Sequence, residues 1–185
     1  MIDFTNRVAI ITGAVGNLGP ATATAFQKAG AKTVLVDRSS ARLRETYPAL
    51  AESRDHAFAG EVDLTDAATV AAMVERAVRR FGRVDVLVNT VGGFRGGQPV
   101  HEEDSADWDF LFAVNVRTTL NCCRAVIPHM LRAGRGKIVN VAARGALAGD
   151  GGFGAYSGPS TRRRSGASAR LRTTRNGWSR PASRT

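Results

Sequence analysis

The chain has 185 residues, enough for one domain with a sizeable core, and its 43% hydrophobic fraction fits a soluble globular protein. No apolar run approaches the roughly 18 residues of a membrane span, and residues 1–7 lack the apolar core of a signal peptide. The net charge of +10 would suggest a nucleic-acid partner, but all 16 acidic residues precede residue 151, while eight of the 26 basic residues follow it.

From the start, short apolar runs alternate with helical patterns, the mark of an α/β protein with a parallel sheet. Val8 to Ile11 reads as a buried strand. A glycine-rich turn and a helix from about Asn17 to Ala29 follow it. Thr33 to Val36 is the second strand, ending on Asp37, and a polar helix runs from about Ser40 to Ala51. His56 to Val62 is a third, less apolar strand. Asp66 caps a helix reaching Phe81, with Ala71, Val74 and Val78 at core spacing. Val84 to Val88 is the fourth strand; a glycine-rich loop, a long helix from about Ser105 to Leu131 and a fifth strand, Lys137 to Val141, complete the series. The pattern then stops. Beyond Pro159 the chain is Arg, Ser, Thr, Gly and Ala without apolar periodicity, which predicts a disordered segment. The expected organisation is one domain over 1–157 and an Arg-rich tail over 158–185.

Strand, glycine-rich turn and helix, in that order, suit a pyrophosphate held at a helix N-terminus. Gly13-Ala14-Val15-Gly16-Asn17-Leu18-Gly19 occupies that place. Gly13 and Gly19 supply the tight turn and the close helix–strand approach, and Asn17 is the non-glycine residue that best tolerates a positive φ. Asp37, at the end of the second strand, can accept hydrogen bonds from ribose hydroxyls and would repel a 2′-phosphate, which favours NAD over NADP; Arg38 beside it weakens that preference.

Thr12-Gly13 followed by Gly19 resembles the T-G-x-x-x-G-x-G of the short-chain dehydrogenase/reductase family. Val62-Asp63-Leu64-Thr65 is similar to the family's D-[LV]-[TS], and Asn89-Thr90-Val91-Gly92-Gly93 to its N-N-A-G with two substitutions. Asn115, in Phe112-Ala113-Val114-Asn115-Val116, matches the family's helix asparagine. The resemblance covers about Thr5 to Ser157 and implies a Rossmann-type doubly wound parallel sheet, of which five strands are recognisable. It implies that Asp63 and Leu64 meet adenine, that Asn89, Val91 and Gly92 meet adenosine, and that Asn115 serves a water-mediated proton relay. From the residues alone, Asp63 could equally cap a helix, the Asn89 segment could be a plain turn, and Asn115 could be exposed or dimer-facing. His56, His101 and His129 stand apart without ligand partners, so no metal site is expected, and Cys122 and Cys123 read as packing residues in a reduced, cytoplasmic setting.

Catalysis in the family uses a tyrosine as acid/base, a serine on the substrate oxygen and a lysine four residues past the tyrosine. An unperturbed tyrosine near pKa 10 is a poor base at neutral pH, and a nearby cation favours its phenolate. Tyr156 has the tyrosine's place, thirteen residues after Ala143, where the serine would stand. Alanine also occupies that position in dihydropteridine reductase, a family relative. The lysine position holds Ser160, and Pro159 disfavours the helix that would carry both side chains.

The resemblance ends at the point where composition changes. The first 150 residues hold three lysines and 15 arginines, a bias expected of GC-rich coding sequence, and the tail looks like such a sequence read out of frame. A frameshift near Gly158 and Pro159 is therefore expected, whose loss of the family's later elements would leave the fifth strand an uncovered edge and make the family's usual homo-oligomer doubtful. Two functions are carried forward. One is an NAD(P)-dependent oxidoreductase acting on a small alcohol or carbonyl; the other is a dinucleotide-binding remnant without turnover. A nucleic-acid binder is disfavoured, because the tail offers only Trp178 as a stacking aromatic. No residue names the substrate.

Overall fold

The structure is a computed structural model and describes residues 2–143 and 154–156. The tail assigned to 158–185, Ser160 and the expected frameshift point lie outside the described residues. Five parallel strands form one sheet in the order β3-β2-β1-β4-β5: β1 Val8–Thr12, β2 Lys32–Val36, β3 His56–Ala59, β4 Val86–Asn89 and β5 Lys137–Asn140. The helices are α1 Gly19–Lys28, α2 Ser40–Thr46, α3 Ala67–Phe81, α4 Ser105–Phe112 and α5 Thr118–Arg132. This is the expected Rossmann-type sheet. Its strand order reverses between β1 and β4, the switch point beside which open α/β sheets bind ligands.

Alternation along β1 explains why helices cover both faces. Val8 and Ile10 point into one core with Val70, Val74, Val126 and Met130 from α3 and α5. Ala9 and Ile11 point into the other with Ala23 and Leu43 from α1 and α2. All five β1 residues are buried, as a strand flanked on both faces and both edges must be. Among the described residues β5 is the outermost strand on its side, and Val139 on it is 48% exposed.

Several boundaries differ from the sequence expectations, each for a local reason. The second helix ends at Thr46 rather than Ala51 because Tyr47 precedes a proline and turns to φ −128°, ψ 55°; a 3₁₀ turn, Pro48–Leu50, follows. β3 stops at Ala59 instead of Val62, with Glu61 at φ 59°, outside the strand region. The long helix expected from Ser105 to Leu131 is α4 and α5 joined by a π-helical segment, Ala113–Arg117. Helical periodicity does not announce such a bulge, which commonly marks a functional position. Asp66 caps α3 as read, accepting from the Ala68 amide at 2.8 Å, and Gly82 ends that helix in the left-handed region at φ 76°.

Candidate cofactor site

A cavity of about 670 Å³ opens at the carboxyl end of the sheet. Its wall includes Gly13, Asn17 and Leu18 from the glycine loop, Asp37 and Arg38 from the end of β2, and Asp63 and Leu64 after β3. Val91, Gly92 and Tyr156 are on it too, while Gly19, Asn89 and Asn115 of the expected set are not. Segments far apart in sequence thus meet in one place because parallel strands all deliver their carboxyl ends to the same side.

The glycine loop shows why glycine is needed. Gly13 has φ +64°, and a Cβ there would stand 2.9 Å from the Thr90 hydroxyl. At Gly19 a Cβ would lie 2.2 Å from the Ala14 carbonyl oxygen, an overlap of backbone that nothing flexible could relieve. Gly19 therefore acts behind the loop, seating α1 against it, and is not part of the cavity wall. The positive φ expected to suit Asn17 is not there: among the described non-glycine residues only Asn6 and Glu61 have one. The turn is made at Gly13 instead.

Two of the other rim segments are pinned by a buried polar side chain. Asn115, 2% exposed in the π-helical segment, accepts from the Gly93 amide at 3.1 Å and donates to the Gly93 carbonyl at 3.0 Å. It lies behind Gly92-Gly93, and the exposed alternative is excluded. Asn121 on α5 donates to the carbonyls of Leu64 and Thr65, both at 3.0 Å. Asp63 caps no helix: its carboxylate accepts from the Thr65 amide at 2.8 Å and hydroxyl at 2.7 Å. Those bonds, the hydroxyl's first, hold the Asp63 carboxyl below its ordinary value. Asn89 is buried in β4, donates to Asn140 on β5 at 2.8 Å and does not line the cavity.

Asp37 carries long hydrogen bonds from the Val15 amide at 3.5 Å and the Ser39 amide at 3.4 Å. Tyr156 stands in a helical turn, Gly154 to Tyr156, with its ring edge-on to Phe94 at 4.9 Å. The Ala155 amide in that turn donates to the Glu103 carboxylate at 3.0 Å. Sequence reading did not single out Arg42, Thr90, Val114 or Thr118 of the wall. The available signal was a run of polar residues, Asn115, Thr118, Thr119 and Asn121, buried on a helix otherwise packed with apolar groups.

Among the described residues no group of His, Cys, Asp and Glu could hold a metal, and no helix is long and apolar enough to cross a membrane. The residues present fit a dinucleotide: a glycine loop whose tight turn side chains would disrupt, a helix N-terminus behind it and a strand-end carboxylate one segment away.

Comparison with known proteins agrees with that fit. The chain is 39% identical over 147 residues to the (2S)-[(R)-hydroxy(phenyl)methyl]succinyl-CoA dehydrogenase subunit BbsD of Thauera aromatica, covering 79% of this chain and 58% of the relative. It is 38% identical over 159 residues to the 2-(R)-hydroxypropyl-CoM dehydrogenase of Xanthobacter autotrophicus, covering 82% and 62%. The chain thus spans about three fifths of these relatives' length. Among solved structures, NAD+-bound xylitol dehydrogenase superposes with a TM-score of 0.78 at 30% identity, over 85% of this chain and 61% of that one. The sequence model described as short chain dehydrogenase matches residues 7–159, the span over which the five strands and the cavity were built, and the chain belongs to that family.

Proposed function

We propose that this chain binds NAD(H) and serves an oxidoreductase that interconverts a small alcohol and its carbonyl compound. The observation that carries this reading is the convergence of the glycine loop, Asp37, Asp63 and Tyr156 on one cavity. Gly13, Asn17 and Leu18 would hold the phosphates, Asp37 the adenosine ribose, and Asp63-Leu64 with Val91-Gly92 the adenine side. The carboxylate of Asp37 supports NAD over NADP, and Arg38 next to it moderates that preference. The nicotinamide, when bound, supplies or accepts the hydride. Tyr156 Oη would give the proton to the carbonyl oxygen or take it from the alcohol. Asn115 would keep the Gly92-Gly93 segment in place and serve the proton path. The free thiols Cys122 and Cys123, the former pushed up to about 12 by burial and by its neighbour, suit a reducing cytoplasm.

A second reading has its own support. Ala143 and Ser160 stand where the family has serine and lysine, so the proton transfer would lack both its oxygen ligand and its cation. The chain would then bind the dinucleotide without turning over. NADH fluorescence titration, paired with NADH oxidation and NAD reduction across a panel of ketones and alcohols, separates the two. Saturable binding with turnover abolished by Tyr156→Phe is the expected result for the first reading. Binding without turnover gives the second, and no binding by folded protein refutes both.

A further inference from the structure

The glycine loop is held from behind by a residue that does not line the cavity. Tyr47 follows α2, is 8% exposed, and packs its ring against Phe58 at 6.2 Å. Its hydroxyl donates to the Ala14 carbonyl at 2.5 Å. Ala14 is fully buried, and α1 packs so closely that a Cβ on Gly19 would stand 2.2 Å from the same oxygen. Without the hydroxyl this carbonyl would be a buried acceptor with nothing to accept from Tyr47's side.

The geometry of the peptide group gives that bond a larger consequence. The Ala14 carbonyl and the Val15 amide belong to one planar unit, so they turn together. Tyr47 holds the carbonyl end, and Asp37 accepts from the amide end at 3.5 Å. The next unit is held likewise: Arg42 donates to the Val15 carbonyl at 3.3 Å, and the Gly16 amide donates to the Gly13 carbonyl at 2.9 Å. Two successive peptide planes are therefore fixed at both ends, and the chain leaving them runs directly into Asn17 and Leu18 on the cavity wall. Of the three side chains that do this, Asp37 and Arg42 also line the cavity, whereas Tyr47 does not.

We propose that Tyr47 is a positioning residue for the dinucleotide phosphates: by holding the Ala14 carbonyl it sets the glycine loop in its binding conformation before the ligand arrives. The proposal rests on the dinucleotide reading given above. Preorganisation of this kind raises affinity by removing the ordering cost from the binding step. Burial, and then the Asp37 charge, push the Tyr47 hydroxyl up to about 12, so it remains a donor at any pH at which binding would be measured.

Tyr47→Phe keeps the ring and removes the donor. Calorimetric titration with ADP-ribose, which carries the pyrophosphate, and chemical-shift titration with adenosine, which carries none, separate positioning from general damage. We expect ADP-ribose to bind about tenfold more weakly and adenosine to bind within about twofold of wild type. Equal loss for both ligands, or loss for neither, would overturn the role of Tyr47 while leaving the cofactor reading intact. Failure of wild type to bind ADP-ribose would overturn the cofactor reading and this one with it. Amide exchange on the unliganded wild-type chain tests the same claim without a variant. The Ala14 and Gly16 amides, bonded to Val36 and Gly13, should exchange slowly. Exchange at the rate of unstructured peptide would show that the loop is not set in advance.

Discussion

The two ends of the parallel sheet use the same residue type for opposite purposes. At the amino end Asp85, with its side chain 7% exposed, is surrounded by arginines. Arg83 bonds both of its oxygens, Arg7 and Arg135 approach at 3.5 and 3.4 Å, and the Val8 amide donates at 3.0 Å. At the carboxyl end Asp37 accepts only long backbone bonds and faces a cavity. An acid whose charge is answered within the protein closes the fold, while one that takes only long backbone bonds beside a cavity suits the ligand proposed for it. Residue type alone does not tell these apart.

The largest effect should come from breaking the closed end. Asp85→Ala leaves three arginines around a vacated buried position and should lower stability by about 3 kcal/mol, read from the urea midpoint. Burial pushes the Asp85 carboxyl up, but the Arg83 hydrogen bond, the Val8 amide and the charges of Arg83 and Arg7 bring it below its ordinary 3.8. A depressed folded value means that stability from this group is complete above about 3.8 and drains away as the pH falls through the folded value. The acid limb of the stability–pH curve should therefore flatten in Asp85→Ala. An unchanged limb would assign acid sensitivity elsewhere.

Next in size is Gly19→Ala, which sets a methyl group against the Ala14 carbonyl. Dinucleotide affinity should fall by about a hundredfold, because the backbone itself must shift. Affinity within threefold of wild type would refute the packing argument. Asp37→Asn should act more gently and leave the urea midpoint almost unmoved. Its expected signature is roughly tenfold weaker NADH binding with less discrimination against NADPH, since the substitution removes the charge that repels a 2′-phosphate.

Much of this was legible in the sequence, and the failures share a cause. The apolar runs gave five strands, most plainly β1, β2 and β4, which are buried on both faces, and the cap at Asp66 is local chemistry. Asp37 could be placed as the end of a parallel strand, whereas Asp63 and Gly92 were placed by their resemblance to the family's motifs, and all three line the cavity. What escaped was chemistry between distant segments. Asn121 reaching Leu64, Tyr47 reaching Ala14 and Asn115 reaching Gly93 are pairings that no periodicity reveals. The π-helical turn was missed for the same reason, because it disturbs a helix without changing its composition. Asn89, expected among the ligand contacts, donates to Asn140 and is not on the cavity wall, a pairing of the same long-range kind.

We propose that the open end of the sheet is built to hold a dinucleotide. Titration of the folded wild-type chain with NADH, followed by calorimetry, tests it most directly. Saturable binding of one NADH per chain is expected, retained by folded Asp85→Ala and weakened about a hundredfold by Gly19→Ala. Absence of saturable binding, or equal binding by Gly19→Ala, would contradict it.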